Sequence, residues 1–244
     1  MIILTINIKR VIFILCSVFA ILFVMNWATV MQSMSSDTEL TGAVMYFYKA
    51  FNFQEEKNIP TYFSVILLFL SSQTFLIIRL LDKFQVSSYV KHYWTQMSLI
   101  FLLLSIDEMV RLHERLGYVA RYLYFVRVDS AGLFKFGWVV WVVPMSMLLV
   151  IFGLYSIKFL MRIPNHLRIG YIVSGGLYVL GAIGFETISA QFSTLNEAEQ
   201  LYYYLSMTAE ESLEMIGIIT LLYFNFGYIN ELSIGDADAN GSKP

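Results

Sequence analysis

The chain has 244 residues, of which 58% are hydrophobic and 14% are charged, with a formal net charge of −2. Soluble domains usually contain about 25% charged residues, so this composition excludes an ordinary soluble domain and indicates a membrane protein whose main partner is the lipid bilayer. The net charge offers no basic surface for nucleic acid. Cys16 is the single cysteine, which excludes an intrachain disulfide and a metal site built from paired cysteines.

Six long apolar segments predict an all-α polytopic bundle of six transmembrane helices. The first follows Lys9 and Arg10 and lacks a small-residue cleavage site, so we interpret it as an uncleaved span rather than a signal peptide. Each segment is long enough to cross about 30 Å of hydrocarbon at about 1.5 Å per residue. The predicted spans are residues 11–31, 61–81, 94–116, 136–160, 169–190 and 201–229.

The segments around these spans complete a single domain over residues 1–229. Residues 43–53 are too short to cross a membrane and predict a helix at its surface, and Pro60 fits the first turn of the second span. Residues 230–244 are polar and predict a disordered cytoplasmic tail. Four glycines in the fifth span predict close helix packing; they are Gly175, Gly176, Gly181 and Gly184.

Basic residues predict the orientation. They precede span one and lie between spans two and three and between spans four and five, and the positive-inside rule assigns all three places to the cytoplasm. Both termini are then cytoplasmic, in what we expect to be a bacterial inner membrane. The loop after span three is an exception, because it contains Arg121, Arg127 and Lys135. The residues that decide the orientation are Lys9, Arg10, Arg79, Lys83, Lys91, Lys158, Arg162 and Arg168.

Acidic residues lie inside three of the predicted spans, where an ionisable group is costly and marks a functional site by default. Distances along each helix place these carboxylates in the middle and outer half of the membrane, so spans three, five and six are able to present them to one pocket. Arg111 shares a helix face with Asp107 and Glu114 and is the expected charge-balancing residue. The candidate metal-ligating residues are Asp107, Glu108, His113, Glu114, Glu186, Glu210, Glu211 and Glu214.

The charges in this region do not balance, because the carboxylates outnumber Arg111 and Arg115. Burying the surplus as ions would cost several kcal/mol each, so a bound cation, protonation or contact with water is required. A divalent metal ion is the favoured interpretation. Iron, manganese or zinc fits if His113 is a ligand, and magnesium or calcium fits if it is not. In a metal-dependent membrane enzyme, the ion would activate water or oxygen beside a carboxylate acting as general base.

Two other classes of function stay open. In a proton-coupled or cation transporter, Glu186 and the glutamates of span six would relay protons, and discontinuous helices would be expected. Four prolines and no clearly broken span argue against a typical transporter. In a structural or assembly subunit, Arg111 would bridge Asp107, Glu114 and a glutamate of span six in a buried ion-pair network. A homo-oligomer is compatible with each class.

Several segments resemble a family of uncharacterised bacterial multi-span membrane proteins. The resemblance covers spans two to six, and it implies a membrane fold without implying an activity. Its segments are residues 58–64 (NIPTYFS), 105–108 (SIDE) followed by 113–114 (HE), 184–186 (GFE) and 210–217 (EESLEMIG).

Overall fold

A computed structural model describes residues 6–35, 41–82, 88–112, 115, 142–192 and 197–241. The described residues form helices and connecting turns without a β-strand, which confirms the all-α prediction for this part of the chain. The helices are α1 (Ile8–Ser35), α2 (Gly42–Phe51), α3 (Ile59–Leu81), α4 (Ser88–Val110), α5 (Val142–Leu160), α6 (Asn165–Val179), a π-helical segment (Leu180–Phe185), α7 (Glu186–Ser189), a 3₁₀ turn (Ala190–Phe192) and α8 (Glu197–Gly241).

Four helical stretches are long and apolar enough to cross a membrane, as a multi-pass protein requires. They are Ile8–Ser35, Ile59–Leu81, Asn165–Ser189 and Gln200–Ile234, and a shorter apolar helix covers Pro144–Leu160. The predicted count of six spans is thus met only in part. Helix α4 has the same 23-residue length as α3, but Lys91, Asp107 and Glu108 make it more polar. Residues 116–141, where two predicted spans end and begin, lie outside the described residues.

The first and last long helices run antiparallel. At one end of the bundle, Ile6 N donates to Asn230 Oδ1 at 2.9 Å, and Asn230 Nδ2 donates to the carbonyl oxygen of Ile6 at 2.9 Å. At the other end, Asn26 Nδ2 donates to Thr208 Oγ1 at 3.0 Å. We call the end with Ile6 and Asn230 the lower end and the end with Asn26 and Thr208 the upper end. The chain therefore enters and leaves this bundle at the lower end.

Two hydrophobic clusters hold the helices together. In the lower half, the fully buried Trp94 packs edge-on against Phe159 with ring centroids 4.8 Å apart, and Phe75 lies beside them. In the upper half, Leu67 of α3 and Met215 of α8 are both fully buried. Burying such side chains between helices positions α3 and α8 side by side through the whole bundle.

The start of α3 is capped by its own sequence. The Asn58 side chain accepts hydrogen bonds from Thr61 N at 3.1 Å and from Thr61 Oγ1 at 2.9 Å, and Pro60 occupies the first turn, where a missing N–H costs nothing. Helix α2 is the short helix that residues 43–53 predict. Helix α2 and the capped start of α3 together bring the segment between them back to the upper end of the bundle.

Helix α8 is longer than the sequence predicts. It has 45 residues, about 68 Å at 1.5 Å per residue, and continues through Gly241, whereas the sequence predicts a disordered tail from residue 230. The physical reason is that tertiary contacts extend beyond the apolar run. Ile229 and Ser233 are buried, and Asn230 holds the start of the chain through the two hydrogen bonds to Ile6.

Candidate acidic site

Carboxylates from three parts of the chain interact electrostatically in the upper half of the bundle. Glu210 is buried and interacts electrostatically with Glu186, Glu211 and Glu108. Glu214 interacts with the same residues and with Glu210. Asp107 approaches the group as well, because Tyr178 interacts with it and with Glu108, Glu211 and Glu214. We call this group the acidic cluster; its members are Asp107, Glu108, Glu186, Glu210, Glu211 and Glu214.

The acidic cluster brings together most of the candidate residues that the sequence indicates. Its carboxylates come from α4, α7 and α8, which belong to the predicted spans three, five and six. His113 and Glu114 lie outside the described residues.

A glycine lets α8 approach the neighbouring helix at the level of the glutamates. A Cβ atom at Gly181 would lie 2.7 Å from the carbonyl oxygen of Glu210 and 2.9 Å from Cγ of Glu214. Gly217 of α8 also allows a close approach, since a Cβ atom there would lie 2.9 Å from the carbonyl oxygen of Ser174 in α6. Small residues of this kind allow the backbones of membrane helices to pack closely.

The helix backbone changes its winding beside the cluster. The π-helical segment Leu180–Phe185 lies between α6 and α7, and Glu186 is the first residue after it. Such segments are rare and occur frequently at functional sites. Ser189 Oγ, one turn further on, lies 3.3 Å from Glu210 Oε2 and 3.0 Å from the carbonyl oxygen of Glu186. The Ser189 hydroxyl therefore lies between the backbone of Glu186 and the carboxylate of Glu210.

Two buried serine hydroxyls in the upper half lack a hydrogen-bond partner among the described residues. They belong to Ser212, which follows Glu211 and is 9% exposed, and to Ser64 of α3. A helical serine can donate to the carbonyl four residues earlier, as Ser71 does to Leu67 at 3.0 Å. A buried hydroxyl without such a bond is costly.

Arg111 forms an ion pair with Glu56, a residue that the sequence analysis does not include in the site. Glu56 lies in the segment between α2 and α3 and also interacts electrostatically with Glu211. In the sequence, nothing distinguishes Glu56 from its acidic neighbour Glu55. Only the path of the chain brings Glu56 to Arg111. Arg111 is thus paired with a carboxylate that lies outside the predicted spans.

Buried asparagines hold the segment that contains Glu56. Asn52 Nδ2 donates to Thr29 Oγ1 at 3.0 Å, Phe53 N donates to Asn26 Oδ1 at 2.8 Å, and Asn58 Nδ2 donates to the carbonyl oxygen of Asn52 at 2.7 Å. All of these side chains are buried. The segment is therefore attached to α1 and α3 at both of its ends, which defines where Glu56 lies.

The acidic cluster lacks a closed set of metal ligands in the part of the chain that the structure describes. No group of three or more His, Cys, Asp or Glu side chains within residues 6–35, 41–82, 88–112, 115, 142–192 and 197–241 is arranged to hold a metal ion. The donors that do approach one another are carboxylate oxygens, with serine hydroxyls nearby. This chemistry suits hard divalent cations such as magnesium, calcium and manganese.

Residues 11–226 match the family described as "Domain of unknown function (DUF8692)". The chain belongs to the DUF8692 family. The match includes every residue of the acidic cluster, together with Glu56 and Arg111, and it supports the resemblance of this sequence to an uncharacterised family. No curated protein and no solved structure matches the chain. The DUF8692 family therefore brings no established activity to the site.

Proposed function

We propose that this DUF8692 protein is a six-span protein of the bacterial inner membrane that binds a divalent cation at its acidic cluster from the periplasmic side. The observation that carries the proposal is the approach of six carboxylates from α4, α7 and α8 in the upper half of the bundle. Like charges at short range repel strongly in a medium of low dielectric constant. A bound cation supplies the opposite charge that the arrangement requires.

The six-span topology is supported by the directions of the helices. The start of α1 meets α8 at the lower end through Ile6 and Asn230, so an even number of crossings connects them. Helix α4 has the length of a span, and α5 is apolar. Arg79, in the last turn of α3, and Arg162 and Arg168, around the turn between α5 and α6, lie at the lower end, which the positive-inside rule makes cytoplasmic.

The hydroxyl of Ser189 supports an occupant that is polar. It lies 3.3 Å from Glu210 Oε2 and gives the site a neutral oxygen beside a carboxylate. Carboxylate and hydroxyl oxygens together fit manganese, magnesium or calcium. If His113 also binds, its imidazole extends the choice to iron and zinc.

The second candidate function is transport coupled to protons or cations. The π-helical segment that ends immediately before Glu186 favours it, because transporters bind ions where a membrane helix is interrupted. Protonation of the glutamates, rather than a bound metal ion, would then remove the negative charge of the acidic cluster. Proton uptake by proteoliposomes, compared between the wild type and Glu186→Gln, tests this candidate, which predicts uptake that the substitution abolishes.

The cation is tested on the full chain purified in detergent. We expect stoichiometric metal by elemental analysis, and, after chelation, saturable binding of Mn²⁺ in a calorimetric titration. Glu214→Gln keeps the shape of the side chain and removes its charge, so it should weaken Mn²⁺ binding at least about 10-fold and remove the rise in unfolding temperature that Mn²⁺ causes. The matched control is Glu231→Gln, which removes an exposed carboxylate that faces His166.

One combination of results would refute the metal proposal. If the wild type contains and binds no metal, and Glu214→Gln is as stable as the wild type or more stable, the cluster is neutralised by protons or ion pairs and the metal proposal is wrong. If the wild type does bind metal, His113→Ala tests whether the imidazole is a ligand. Loss of Mn²⁺ or Zn²⁺ binding makes it one, whereas unchanged binding leaves a site of oxygen donors.

A further inference from the structure

Helices α4 and α5 are joined near the lower end by aromatic and polar side chains. Tyr93 of α4 stacks on Phe159 of α5 with ring centroids 3.8 Å apart, and its hydroxyl donates to Ser156 Oγ. One turn higher, Tyr155 Oη donates to Gln96 Oε1 at 2.9 Å. Both side chains of this upper hydrogen bond are exposed, so it connects the outer edges of the two helices.

Above this hydrogen bond, both edges continue with apolar side chains. On α4, Leu99 and Leu103 lie about one and two turns higher, and both are exposed in the described structure. On α5, Ile151 and Leu148 are exposed at the same spacings. Residues three, four and seven apart share one face of a helix, so these side chains form two facing edges. We call the space between the edges the lateral groove; its walls are Gln96, Leu99, Leu103, Leu148, Ile151 and Tyr155.

Two cationic side chains lie at the lower mouth of the lateral groove. Lys158 continues the edge of Tyr155 by about one turn, and Arg162 follows in the turn after α5; both are exposed. The Arg162 guanidinium lies over the ring of Tyr89, 5.0 Å from its centroid. The same ring packs edge-on against Tyr155 with centroids 6.4 Å apart. These contacts orient the guanidinium beside the groove and leave its charge intact.

This part of the chain carries an excess of positive charge. Residues 142–168 contain Lys158, Arg162 and Arg168 and no Asp or Glu. The Arg168 side chain donates to the carbonyl oxygen of Leu160 at 2.7 Å, which ties the turn to the end of α5. In the proposed topology this end is cytoplasmic, and the phosphates of anionic lipids supply negative charge at that surface.

We infer that the lateral groove binds one anionic phospholipid, whose phosphate lies between Lys158 and Arg162 and whose acyl chain lies along the apolar walls. A cationic mouth continuous with apolar walls fits an amphiphile better than a free anion, because each part of the lipid meets its own kind of surface. Basic pockets between membrane helices on the cytoplasmic side bind lipid head groups in this way. The inference requires the protein to be in a membrane, and it does not depend on the acidic cluster.

Phosphatidylglycerol is the probe, added to the full chain after purification and delipidation in detergent. Native mass spectrometry counts the bound lipids and gives their apparent affinities, with zwitterionic phosphatidylcholine as the reference. We expect one phosphatidylglycerol, bound at least about 5-fold more tightly than phosphatidylcholine. Lys158→Gln should weaken phosphatidylglycerol binding by about 5-fold, and Lys158→Gln with Arg162→Gln by about 25-fold. Binding of phosphatidylcholine should change by less than about 2-fold.

Two controls separate the groove from the rest of the lower end. Lys9→Gln with Arg10→Gln removes two exposed cations at the start of α1, and it should change phosphatidylglycerol affinity by less than about 2-fold. Ile151→Trp fills the groove without changing a charge, so it should weaken the binding of both lipids. Val150→Trp adds the same side chain at an exposed position about 100° away on the helix, and it should leave the binding unchanged.

The wild type alone is able to overturn the inference, by binding the two lipids equally. An equal loss of phosphatidylglycerol in the Lys9 and Arg10 variant would attribute the preference to the overall charge of the lower end. Displacement of the lipid by inorganic phosphate would make the mouth a phosphate site. A dimer that only Ile151→Trp dissociates would place a second copy in the groove.

The unfolding temperature without lipid shows whether each variant folds. If the double variant does not fold, Lys158→Gln alone decides, because it changes one exposed side chain. Lys158→Arg keeps the charge and should keep phosphatidylglycerol binding within about 2-fold of the wild type. A loss in this folded variant as large as that of Lys158→Gln would contradict the role assigned to the charge. Each of these results is independent of Mn²⁺ binding, so the proposed cation site stands or fails separately.

Discussion

Two groups of polar side chains in the bundle, a network in the lower half and the acidic cluster in the upper half, are buried in opposite ways. In the lower half, Tyr171 Oη donates to Asn225 Oδ1 at 2.6 Å and Asn225 Nδ2 donates to Thr74 Oγ1 at 2.8 Å, so each donor meets an acceptor. In the upper half, acidic side chains of three helices approach one another. Complementary pairs stabilise a bundle, whereas like charges gain nothing from meeting. The contrast separates polar groups that hold the helices together from those that need a ligand or a proton.

The largest effect should come from breaking the lower network. Asn225→Leu leaves the buried Tyr171 hydroxyl without its acceptor and Thr74 without its donor, which should lower the free energy of unfolding by about 2–4 kcal/mol. Thermal unfolding in detergent measures it, with the exposed Asn165→Leu as control. A tolerated Asn225→Leu would mean that the lower polar groups are no more structural than the acids.

A substitution at Gly181 tests whether close helix packing holds the carboxylates of the acidic cluster together. The added methyl group of Gly181→Ala would collide with the backbone of Glu210, and overpacking of this kind costs about 1–3 kcal/mol. Gly176→Ala is the control on the same helix, because nothing lies within 4 Å of its Cβ, and it should be neutral or slightly stabilising. Equal unfolding temperatures for the two variants would show that another contact sets the distance between α8 and its neighbour.

The smallest effect concerns Asp82, a lower-end carboxylate outside the predicted spans. Burial raises its pKa above the ordinary value of 3.8, against the opposing effects of the hydrogen bond from Trp94 and the charges of Lys91 and Arg79. The unfolded chain therefore loses this proton at lower pH than the folded protein does, and stability falls as pH rises from about 4 through the raised pKa.

Asp82→Asn removes this loss and keeps an oxygen that accepts the Trp94 Nε1–H, which lies 3.2 Å from Asp82 Oδ2. At neutral pH the variant should equal or exceed the wild type in stability by about 1 kcal/mol or less. The difference should disappear below about pH 4, where the carboxyl group becomes neutral in both the folded and the unfolded chain. Unfolding temperatures measured from pH 3 to pH 8 test this. A variant less stable than the wild type at pH 7 would show that the charged pairs of Asp82 outweigh its burial.

Local sequence predicted the depth of the acidic residues that lie on the long helical stretches. The constant rise of a helix relates Glu186 of one span to Glu210 and Glu214 of another without any knowledge of packing. Glu56 escaped the same reasoning, because the position of a loop residue depends on hydrogen bonds such as those of Asn52 and Asn58, which span different segments. Four glycines predicted close packing, yet Gly181 meets the backbone of α8 whereas Gly175 has nothing within 4 Å.

The sequence by itself determined the helical class, the long apolar segments and the excess of acids over bases within them, because these depend on composition and on helical periodicity. Tertiary structure alone decided that α8 continues past residue 229, that the helix is π-wound before Glu186, and that Arg111 meets Glu56. Each of these outcomes depends on contacts between residues far apart in the chain. The energy of such a contact is set by the neighbours that folding supplies, and no local pattern encodes it.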